Sequence, residues 1–204
     1  MATVDITGQL ARYMAGARDL HLPPDVAREA KHRILDTLAA MVSGSHLQAG
    51  EMAITFTRAQ GGVEEATVLT TDIRTSAVNA ALANGMFAHA DETDDFEPVT
   101  KAHPGSHVVP AALAMAEREG RSGAQLLAAV TLGYDVCCRF LLALGPDLVR
   151  GSHRSAEGTS WTMTAAVTPL RAPMPEKSKA FSTCSASRTQ LHTPDTCWAA
   201  YESA

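Results

Sequence analysis

The chain has 204 residues, of which 46% are hydrophobic and only 5% are aromatic, and its formal net charge is −5. This length and composition suit one large globular domain, and the charge provides no basic surface for nucleic acid and no drive toward disorder. The first residues lack the basic and apolar regions of a secretory signal, and no run reaches the roughly 18 uninterrupted apolar residues that a membrane span needs. We therefore expect a cytoplasmic protein with neither a nucleic-acid nor a membrane partner.

The cysteine pattern predicts neither a zinc site nor a redox site. No C-x-x-C pair occurs among the four cysteines, Cys137, Cys138, Cys184 and Cys197. Cys137 and Cys138 are adjacent in an apolar run with helical character, where buried, reduced thiols are the usual outcome. We expect these two thiols to be structural.

Apolar residues recur at helical spacing over most of the first 144 positions. Together with the abundance of alanine, which lets helices pack closely, this pattern predicts an all-α fold, a helical bundle. Residues 66–69 are rich in β-branched side chains and predict one short extended piece. The predicted helices cover residues 7–17, 25–42, 48–58, 77–90, 108–118 and 124–144.

The clearest predicted helix spans residues 25–42. Pro24 suits a first helical turn, and Asp25 places negative charge at the positive end of the helix dipole. A repeat of four residues predicts an apolar stripe, and Gly44 is expected to end the helix. The stripe consists of Val26, Ala30, Ile34, Leu38 and Val42, widened by Leu35 and Ala39.

Further local signals concern the ends and the interior of two later helices. Thr75 or Ser76 is expected to cap the helix of residues 77–90, and Ser122 is a candidate cap for the last helix. Asp135 and Arg139, four positions apart within that last helix, are expected to pair.

The composition changes after residue 167. The last 37 residues hold four prolines, many serines and threonines and two cysteines, without a sustained apolar period. This composition is typical of a poorly ordered segment. We therefore divide the chain into a helical domain, residues 1–167, and a tail, residues 168–204.

A dense polar segment, residues 88–107, separates two apolar helices. It contains five acidic residues, three histidines and a lysine. Pro98 and Pro104 argue against a continuous helix through it, and Pro110 is expected in the first turn of the helix that follows. Charge this dense is costly to bury unless it is paired or used in chemistry. The polar segment is therefore the leading candidate for a functional site.

Three carboxylates in this segment, Asp91, Asp94 and Asp95, repel one another. One of them is expected to hold a raised pKa and to act as an acid near neutral pH, although a solvated acidic loop is the alternative. A calcium loop of the EF-hand type is disfavoured. It needs glycine at its sixth position and glutamate at its twelfth, where this chain has Phe96 and Ala102.

His103 is followed by Pro104 and Gly105, a pair that makes a sharp turn and could hold an imidazole at the mouth of a pocket. Histidine is the side chain best suited to proton transfer near pH 7. His103 and His107 also have the H-x-x-x-H spacing of some zinc sites. Because that spacing works on a helix, and Pro104 argues against a helix here, we expect no metal.

A second polar loop, residues 151–159, contains His153. Arg150 and Arg154 lie beside it in the sequence, and a base next to a positive cluster suits a polycarboxylate substrate. A structural role is the alternative for His153, as it is for His103.

Five sequence stretches in a fixed order resemble the motifs of the MmgE/PrpD family. The resemblance covers roughly residues 4–166. The stretches are residues 34–44 (ILDTLAAMVSG), 84–95 (NGMFAHADETDD), 103–114 (HPGSHVVPAALA), 132–136 (LGYDV) and 153–159 (HRSAEGT).

The resemblance implies an enzyme without a metal or an iron–sulfur cluster, typically a homodimer, with a large helical domain and a smaller α/β lid. Members include 2-methylcitrate dehydratase, cis-aconitate decarboxylase and iminodisuccinate epimerase, which share proton transfer at a carbon next to a carboxylate. A dehydratase-like lyase is the leading expectation, and an epimerase-like isomerase or a non-catalytic helical fragment are the alternatives. By resemblance Asp91, His103 and His153 are catalytic residues, with His103 transferring the proton. Substrate binding is expected from Lys101, Arg154 and Ser155.

Two features depart from the family pattern. Phe96 follows Asp95 where many members have threonine, and the interval from Asp91 to His103 is longer than in the decarboxylase, which argues against that substrate. Members are also about twice as long as this chain. We therefore expect an incomplete helical domain without its lid, from a truncated or frameshifted reading frame.

Overall fold

The computed structural model describes residues 5–17, 21–98 and 102–144. These residues form six helices and one two-stranded antiparallel sheet, which confirms the all-α prediction. The elements are α1 (Ile6–Ala17), α2 (Pro24–Gly44), α3 (Gln48–Gln60), β1 (Ala66–Thr67), β2 (Arg74–Thr75), α4 (Ala77–Ala88), α5 (Gly105–Arg118) and α6 (Gly123–Leu144).

Helix α4 is the centre of the bundle and packs against α2, α3 and α5. Five of its twelve residues are alanine, and all five are buried, so neighbouring backbones approach closely. A Cβ atom on Gly44 of α2 would overlap the carbonyl oxygen of Phe87, and one on Gly85 would lie 3.1 Å from the carbonyl oxygen of Ser106. Gly44 is indeed the last residue of α2, but it is required for this close approach, since it does not have a positive φ.

The predicted apolar stripe of α2 is only partly the buried face. Leu35 is 67% exposed and Val42 is 52% exposed, so the prediction for these two residues was wrong. A strict repeat of four advances about 40° per step relative to the helical period of 3.6, so the stripe winds around the helix. The side that faces α4 and the core instead follows residues 30, 34, 37, 41 and 44.

The local signals at helix ends are largely confirmed. Pro24 lies in the first turn of α2. The hydroxyl of Ser76 accepts a hydrogen bond from the backbone N–H of Asn79, and Ser122 accepts one from Gln125 N–H. The extended stretch at residues 66–69 provides β1, whose partner β2 the sequence pattern did not predict.

The buried side chain of Asn84 ties β1 to the central helix. Its Oδ1 accepts from the N–H of Leu69 at 2.9 Å, and its Nδ2 donates to the carbonyl of Thr67 at 3.0 Å. Both polar groups of this buried amide are therefore hydrogen-bonded, and the two bonds hold β1 against α4.

Helix α5 begins three residues earlier than predicted, at Gly105. Pro110 is therefore its sixth residue, and the prediction that Pro110 lies in the first turn was wrong. The early start has a cause ten residues away in the sequence, because the Asp95 carboxylate accepts a hydrogen bond from the otherwise unpaired N–H of Gly105 at 2.8 Å.

Helix α6 is buried through its middle, where Cys137 and Cys138 are free and buried as expected. The predicted pair within it is formed, since Arg139 Nε donates to Asp135 Oδ1 at 2.7 Å, and Tyr13 of α1 donates to the other Asp135 oxygen at 2.7 Å. By length and composition, Gly123–Ala143 could cross a membrane, with a mean hydropathy of 1.7. A buried core helix passes the same test, and this stretch packs against α1, α2 and α5.

Candidate functional site

The polar segment, residues 88–107, connects the end of α4 to the start of α5 by a chain reversal. His89 follows the last residue of α4, and Glu92 turns the chain with a positive φ of 54°. A backbone bridge between Glu97 and Ala102 closes the reversal and brings His103 back toward α4. As a result the rings of His89 and His103 meet edge to face, with centroids 5.2 Å apart.

Asp94 lies between the two imidazoles, and its side chain is fully buried. His89 Nδ1 is 3.1 Å from Asp94 Oδ1 and 3.2 Å from Oδ2. His103 Nδ1 is 3.4 Å from Oδ1, but this contact lacks the geometry of a hydrogen bond and leaves the buried Nδ1 unpaired. The Asp94 carboxylate therefore contacts two histidines. It is hydrogen-bonded to His89 and only in contact with His103.

His89 and Asp94 shift each other's pKa values in opposite directions. The hydrogen bond to Asp94 raises the pKa of His89 above its ordinary value of 6.5, against the opposing effect of burial. Burial by itself would raise the pKa of Asp94, but the hydrogen bonds, led by that from His89, outweigh it and hold the pKa below its ordinary value. Each group thus stabilises the charged form of the other.

The side chain of Asp95, the next residue, lies in a different environment from that of Asp94. Its carboxylate faces Gly105 N–H at the start of α5 and the side chains of Thr37 and Tyr134. Burial raises the pKa of Asp95, although Tyr134 and Gly105 act in the opposite direction. Burial, reinforced by the neighbouring Asp95, raises the pKa of Tyr134 well above its ordinary value. Of the three aspartates expected to include one with a raised pKa, Asp95 is the one that has it, with burial rather than repulsion as the main cause. A role for it as an acid near neutral pH stays a prediction.

His107 lies in the first turn of α5 and is mostly buried. Its Nδ1 is 2.8 Å from the hydroxyl of Ser106 and 3.1 Å from the carbonyl oxygen of His103. Burial lowers the pKa of His107, so this ring is neutral at physiological pH. His107 therefore helps to fix the turn that carries His103.

The predicted site residues differ in where they lie. His103 is in the cluster and its side chain is 18% exposed. Asp91 is exposed, and its carboxylate accepts a hydrogen bond from the hydroxyl of Thr93 at 2.7 Å. The other predicted residues, Lys101, His153, Arg154 and Ser155, lie outside the residues that the structure describes, as do Cys184, Cys197 and the predicted tail.

His89 was not predicted as a site residue. Its sequence position, immediately after an alanine-rich helix, gave it the same appearance as several structural histidines. The available signal was the density of charge in residues 88–107, which pointed to the segment but not to the pairing of His89 with His103.

The nitrogen and oxygen atoms of His89, Asp94 and His103 lie within 4.8 Å of one another, so these residues could hold a metal ion. Two imidazoles and a carboxylate form a donor set that suits zinc. The group differs from the H-x-x-x-H pair considered from the sequence, because His107 turns toward Ser106 and α5 begins only after His103.

The fold and the site together define an all-helical domain with a histidine–carboxylate cluster at a helix–helix connection. The sequence model of the MmgE/PrpD N-terminal domain matches residues 8–204. The chain belongs to the MmgE/PrpD family.

Curated relatives share this region at moderate identity. The chain is 30% identical to the cis-aconitate decarboxylase-like protein oryM of Aspergillus oryzae over 158 residues, which is 73% of this chain and 33% of that protein. It is 27% identical to cis-aconitate decarboxylase of Aspergillus terreus over 158 residues, which is 74% of this chain and 32% of that protein. The matches therefore span about a third of the length of these relatives.

Proposed function

We propose that this chain is the N-terminal helical part of a lyase that acts on a small polycarboxylate, with His103 transferring a proton at a carbon next to a carboxylate. The observation that carries the proposal is a partly exposed imidazole whose Nδ1 lies 3.4 Å from a fully buried carboxylate, that of Asp94. A carboxylate behind an imidazole orients the ring and leaves Nε2 as the reactive nitrogen. Family membership supports the same class of chemistry.

The proton-transfer step follows from the weak acidity of a C–H bond next to a carboxylate. His103 Nε2 takes the proton, and the electron pair of the C–H bond stays on that carbon and delocalises into the neighbouring carboxylate. Cations near the substrate stabilise that developing charge. Lys101, Arg154 and Ser155 are the residues that we propose bind the substrate, and Asp91 and His153 are the further proposed catalytic residues.

Loss of water is the first of two possible outcomes of this chemistry. In a dehydration the carbanion expels a neighbouring hydroxyl, which leaves as water after accepting a proton, and a carbon–carbon double bond forms. We propose this dehydratase-like reaction as the first candidate. It needs no metal and no other cofactor, because each step is a proton transfer or the loss of a protonated leaving group.

Loss of carbon dioxide is the second candidate, and it is favoured by the similarity to a cis-aconitate decarboxylase and to a cis-aconitate decarboxylase-like protein. In a decarboxylation the bond to a carboxylate breaks, carbon dioxide leaves, and the electron pair that remains on carbon is protonated. Phe96 after Asp95 and the long interval from Asp91 to His103 are the sequence departures that weigh against the decarboxylase substrate.

We also propose that the protein is a cytoplasmic homodimer. Apolar side chains are exposed on three helices that pack together, which is the kind of surface that a second subunit covers. These side chains are Leu35 and Val42 on α2, Met52 and Phe56 on α3, and Val78 and Leu82 on α4. Light scattering behind size exclusion tests the dimer, and a monomer with these side chains exposed would contradict it.

The test of the proposed chemistry is proton NMR of the purified chain in deuterated buffer with 2-methylcitrate, cis-aconitate and related dicarboxylates. A new vinyl signal from a hydroxy acid indicates dehydration, and a vinyl signal with release of carbon dioxide indicates decarboxylation. Loss of a C–H signal without a new product indicates exchange, as in an epimerase.

The matched controls are His103→Ala and His46→Ala, since His46 is exposed outside the polar segment. We expect His103→Ala to reduce the rate by about 10²-fold or more, as for the loss of a general base, and His46→Ala to leave it unchanged. A folded chain that leaves the whole panel unaltered would contradict activity in this chain and favour a non-catalytic helical fragment.

A further inference from the structure

We propose that His89, Asp94 and His103 form a binding site for a divalent transition-metal ion such as zinc, and that an ion bound there blocks proton transfer by His103. The binding site stands on the geometry of the three side chains. The inhibitory effect rests on the proposed function, in which His103 is the base, and it is tested separately. The ion is thus an inhibitor of the proposed reaction and not one of its cofactors.

The three donor atoms are spaced as the ligands of one ion. Zinc binds imidazole nitrogen and carboxylate oxygen at about 2.0–2.2 Å, so two ligands of a tetrahedral ion lie about 3.4 Å apart. Asp94 Oδ1 is 3.1 Å from His89 Nδ1 and 3.4 Å from His103 Nδ1. All three donors lie within 4.8 Å of one another, so a small rotation of one imidazole brings them to a common centre.

The environment of His103 Nδ1 is an independent indication of a ligand. This nitrogen is buried, faces the Asp94 carboxylate and has no hydrogen-bond partner. Buried polar atoms are nearly always paired with protein, water or an ion, so an unpaired one needs an explanation. A metal ion between the three residues would accept the lone pair of this nitrogen and satisfy it.

The site is both held in place and open to solvent. The Asp94 side chain is fully buried, whereas those of His89 and His103 are 28% and 18% exposed, so an ion can enter past the rings. The carbonyl of His103 is fixed by the hydroxyl of Ser106, which donates to it at 3.0 Å, and by Nδ1 of His107 at 3.1 Å. Three protein ligands leave the fourth position of a tetrahedral ion open.

The donor set decides which ion is expected. Two nitrogens and one oxygen suit zinc or cobalt, whereas magnesium and calcium prefer oxygen ligands. Among residues 5–17, 21–98 and 102–144, this is the one group of three or more histidine, cysteine and acidic side chains close enough to hold an ion. Glu92 adds a further negative charge near His89, which favours a cation. We therefore expect one zinc ion at this site.

A bound ion would remove the basic nitrogen of the proposed reaction. In a neutral imidazole one ring nitrogen carries a proton and the other a lone pair. When the lone pair on Nδ1 of His103 binds the ion, the proton is on Nε2, which then has no lone pair to accept a proton from the substrate. Coordination changes no oxidation state, and removal of the ion by a chelator restores the ring.

The test of binding uses the whole chain, freed of metal with EDTA and desalted, and titrated with Co²⁺ and then with Zn²⁺. We expect the visible absorption of four-coordinate cobalt, saturating at one ion per chain and lost when zinc displaces it. A chain without saturable absorption would overturn the proposal. The near-ultraviolet band of a cobalt–thiolate bond would also overturn it, because that band would place the ion at the cysteines.

Variants locate the ion. His89→Gln and Asp94→Asn should each weaken zinc binding, measured by calorimetry, by about 100-fold or more, since the loss of a mere outer partner of a ligand costs about 10–100-fold. His46→Gln and Asp91→Asn, at exposed positions, are the matched controls and should bind zinc as the parent does. Unchanged binding in both site variants, or loss of binding in either control, would overturn the proposal.

A footprint of the unaltered chain keeps the test valid where the site variants do not fold. Diethyl pyrocarbonate modifies the free nitrogens of accessible histidines, and peptide mass spectrometry locates the modified residues. Zinc should lower the modification of His89 and His103 severalfold and leave that of the exposed His46 unchanged. Equal protection of all three, or protection of His46 alone, would indicate general surface binding and would overturn the proposal.

Inhibition is measured where the chain is active in the NMR assay, at free zinc concentrations corrected for the zinc that polycarboxylates bind. Zinc should abolish the reaction of the parent over the range in which the site fills, and EDTA should restore it. The activity that remains in His89→Gln should need about 100-fold more zinc for the same inhibition. Activity that persists with the site filled would overturn the inhibitory role.

The two parts of the proposal can fail separately from the proposed function. If the chain alters none of the substrates without zinc, the proposed function fails. The cobalt and zinc titrations and the footprint then still decide whether the metal site exists.

Discussion

Asp94 and Asp95 are adjacent in sequence and both buried, but their electrostatic environments differ. Asp94 faces two histidines at the connection between α4 and α5, and its pKa lies below the ordinary value despite its burial. Asp95 faces the first turn of α5 and the hydroxyl of Tyr134, and burial raises its pKa. The first carboxylate is hydrogen-bonded to the imidazole of His89. The second accepts a hydrogen bond from a backbone N–H group, and its burial outweighs the favourable charge of Arg33.

This difference gives the two aspartates different roles, Asp94 in the candidate site and Asp95 in the stability of the fold. A buried charge paired with a titratable partner can move protons near neutral pH, since a small change in either group shifts the other. A buried carboxyl group that caps a helix holds the chain in place. We therefore expect changes at Asp95 to act on folding and changes at Asp94 to act on the histidines.

The largest expected effect on folding is that of Asp95→Ala. The substitution leaves the buried N–H of Gly105 without its acceptor and opens a space beside Tyr134, so the free energy of unfolding should fall by about 3 kcal/mol. Urea denaturation at pH 7 measures it. Asp91→Ala, on the exposed surface, is the control and should lie within about 0.5 kcal/mol of the parent. A loss below about 1 kcal/mol for Asp95→Ala would contradict a role for this carboxylate in stabilising the fold.

A smaller loss is expected when the space next to Asp95 is filled. A Cβ on Gly105 would come within 2.8 Å of Asp95 Oδ1, Thr37 Oγ1 and Tyr134 Oη. Gly105→Ala should therefore cost about 2 kcal/mol through overpacking. Gly16→Ala is the matched control, because nothing lies within 4 Å of its added Cβ and alanine favours the helix. Equal thermal midpoints for the two variants would contradict the close packing at Gly105.

The stability contributions of the two carboxylates should also depend on pH with opposite sign. The lowered pKa of Asp94 contributes stability that is present above its ordinary value of 3.8 and is lost as pH falls through the folded value. The raised pKa of Asp95 contributes stability that is present below 3.8 and is lost as pH rises through the folded value.

Relative to the parent, Asp94→Asn should therefore become less stable from pH 3 to 6, and Asp95→Asn more stable. Denaturation curves at several pH values in this range, below the titration of His89, compare the two slopes. Slopes of the same sign would show that the two side chains share one environment.

The smallest effect is expected at Tyr134. Its buried hydroxyl lacks a hydrogen bond of regular geometry, so Tyr134→Phe should change the free energy of unfolding by less than about 0.5 kcal/mol. Tyr13→Phe is the comparison, because it removes the 2.7 Å hydrogen bond to Asp135 and should cost about 1 kcal/mol. A larger loss at Tyr134 than at Tyr13 would indicate that Asp95 and Tyr134 are firmly bonded.

The helices and the location of the candidate site could be predicted from the sequence because both depend on local properties. Apolar periodicity, Pro24 and the caps Ser76 and Ser122 act within a few residues of where they occur. The charge density of residues 88–107 is a property of composition. These signals identified six helices and the segment in which His103 lies.

Other features were decided by packing between segments. The buried face of α2 depends on where α4 lies, so the repeat of four residues placed Leu35 and Val42 wrongly. The start of α5 depends on Asp95, ten residues away, which accepts from Gly105 N–H. A local sequence pattern does not show which residues of other segments pack against it, so neither feature could be predicted.

The sequence by itself determined an all-helical domain, the family to which it belongs and the segment that carries its polar chemistry. Only the tertiary structure decided that Asp94 rather than Asp95 faces the histidines, and that His89 joins His103 there. The physical reason is that a chain reversal closed by the bridge of Glu97 and Ala102 sets which side of the connection each carboxylate faces. Two adjacent and identical side chains can therefore differ completely in charge environment.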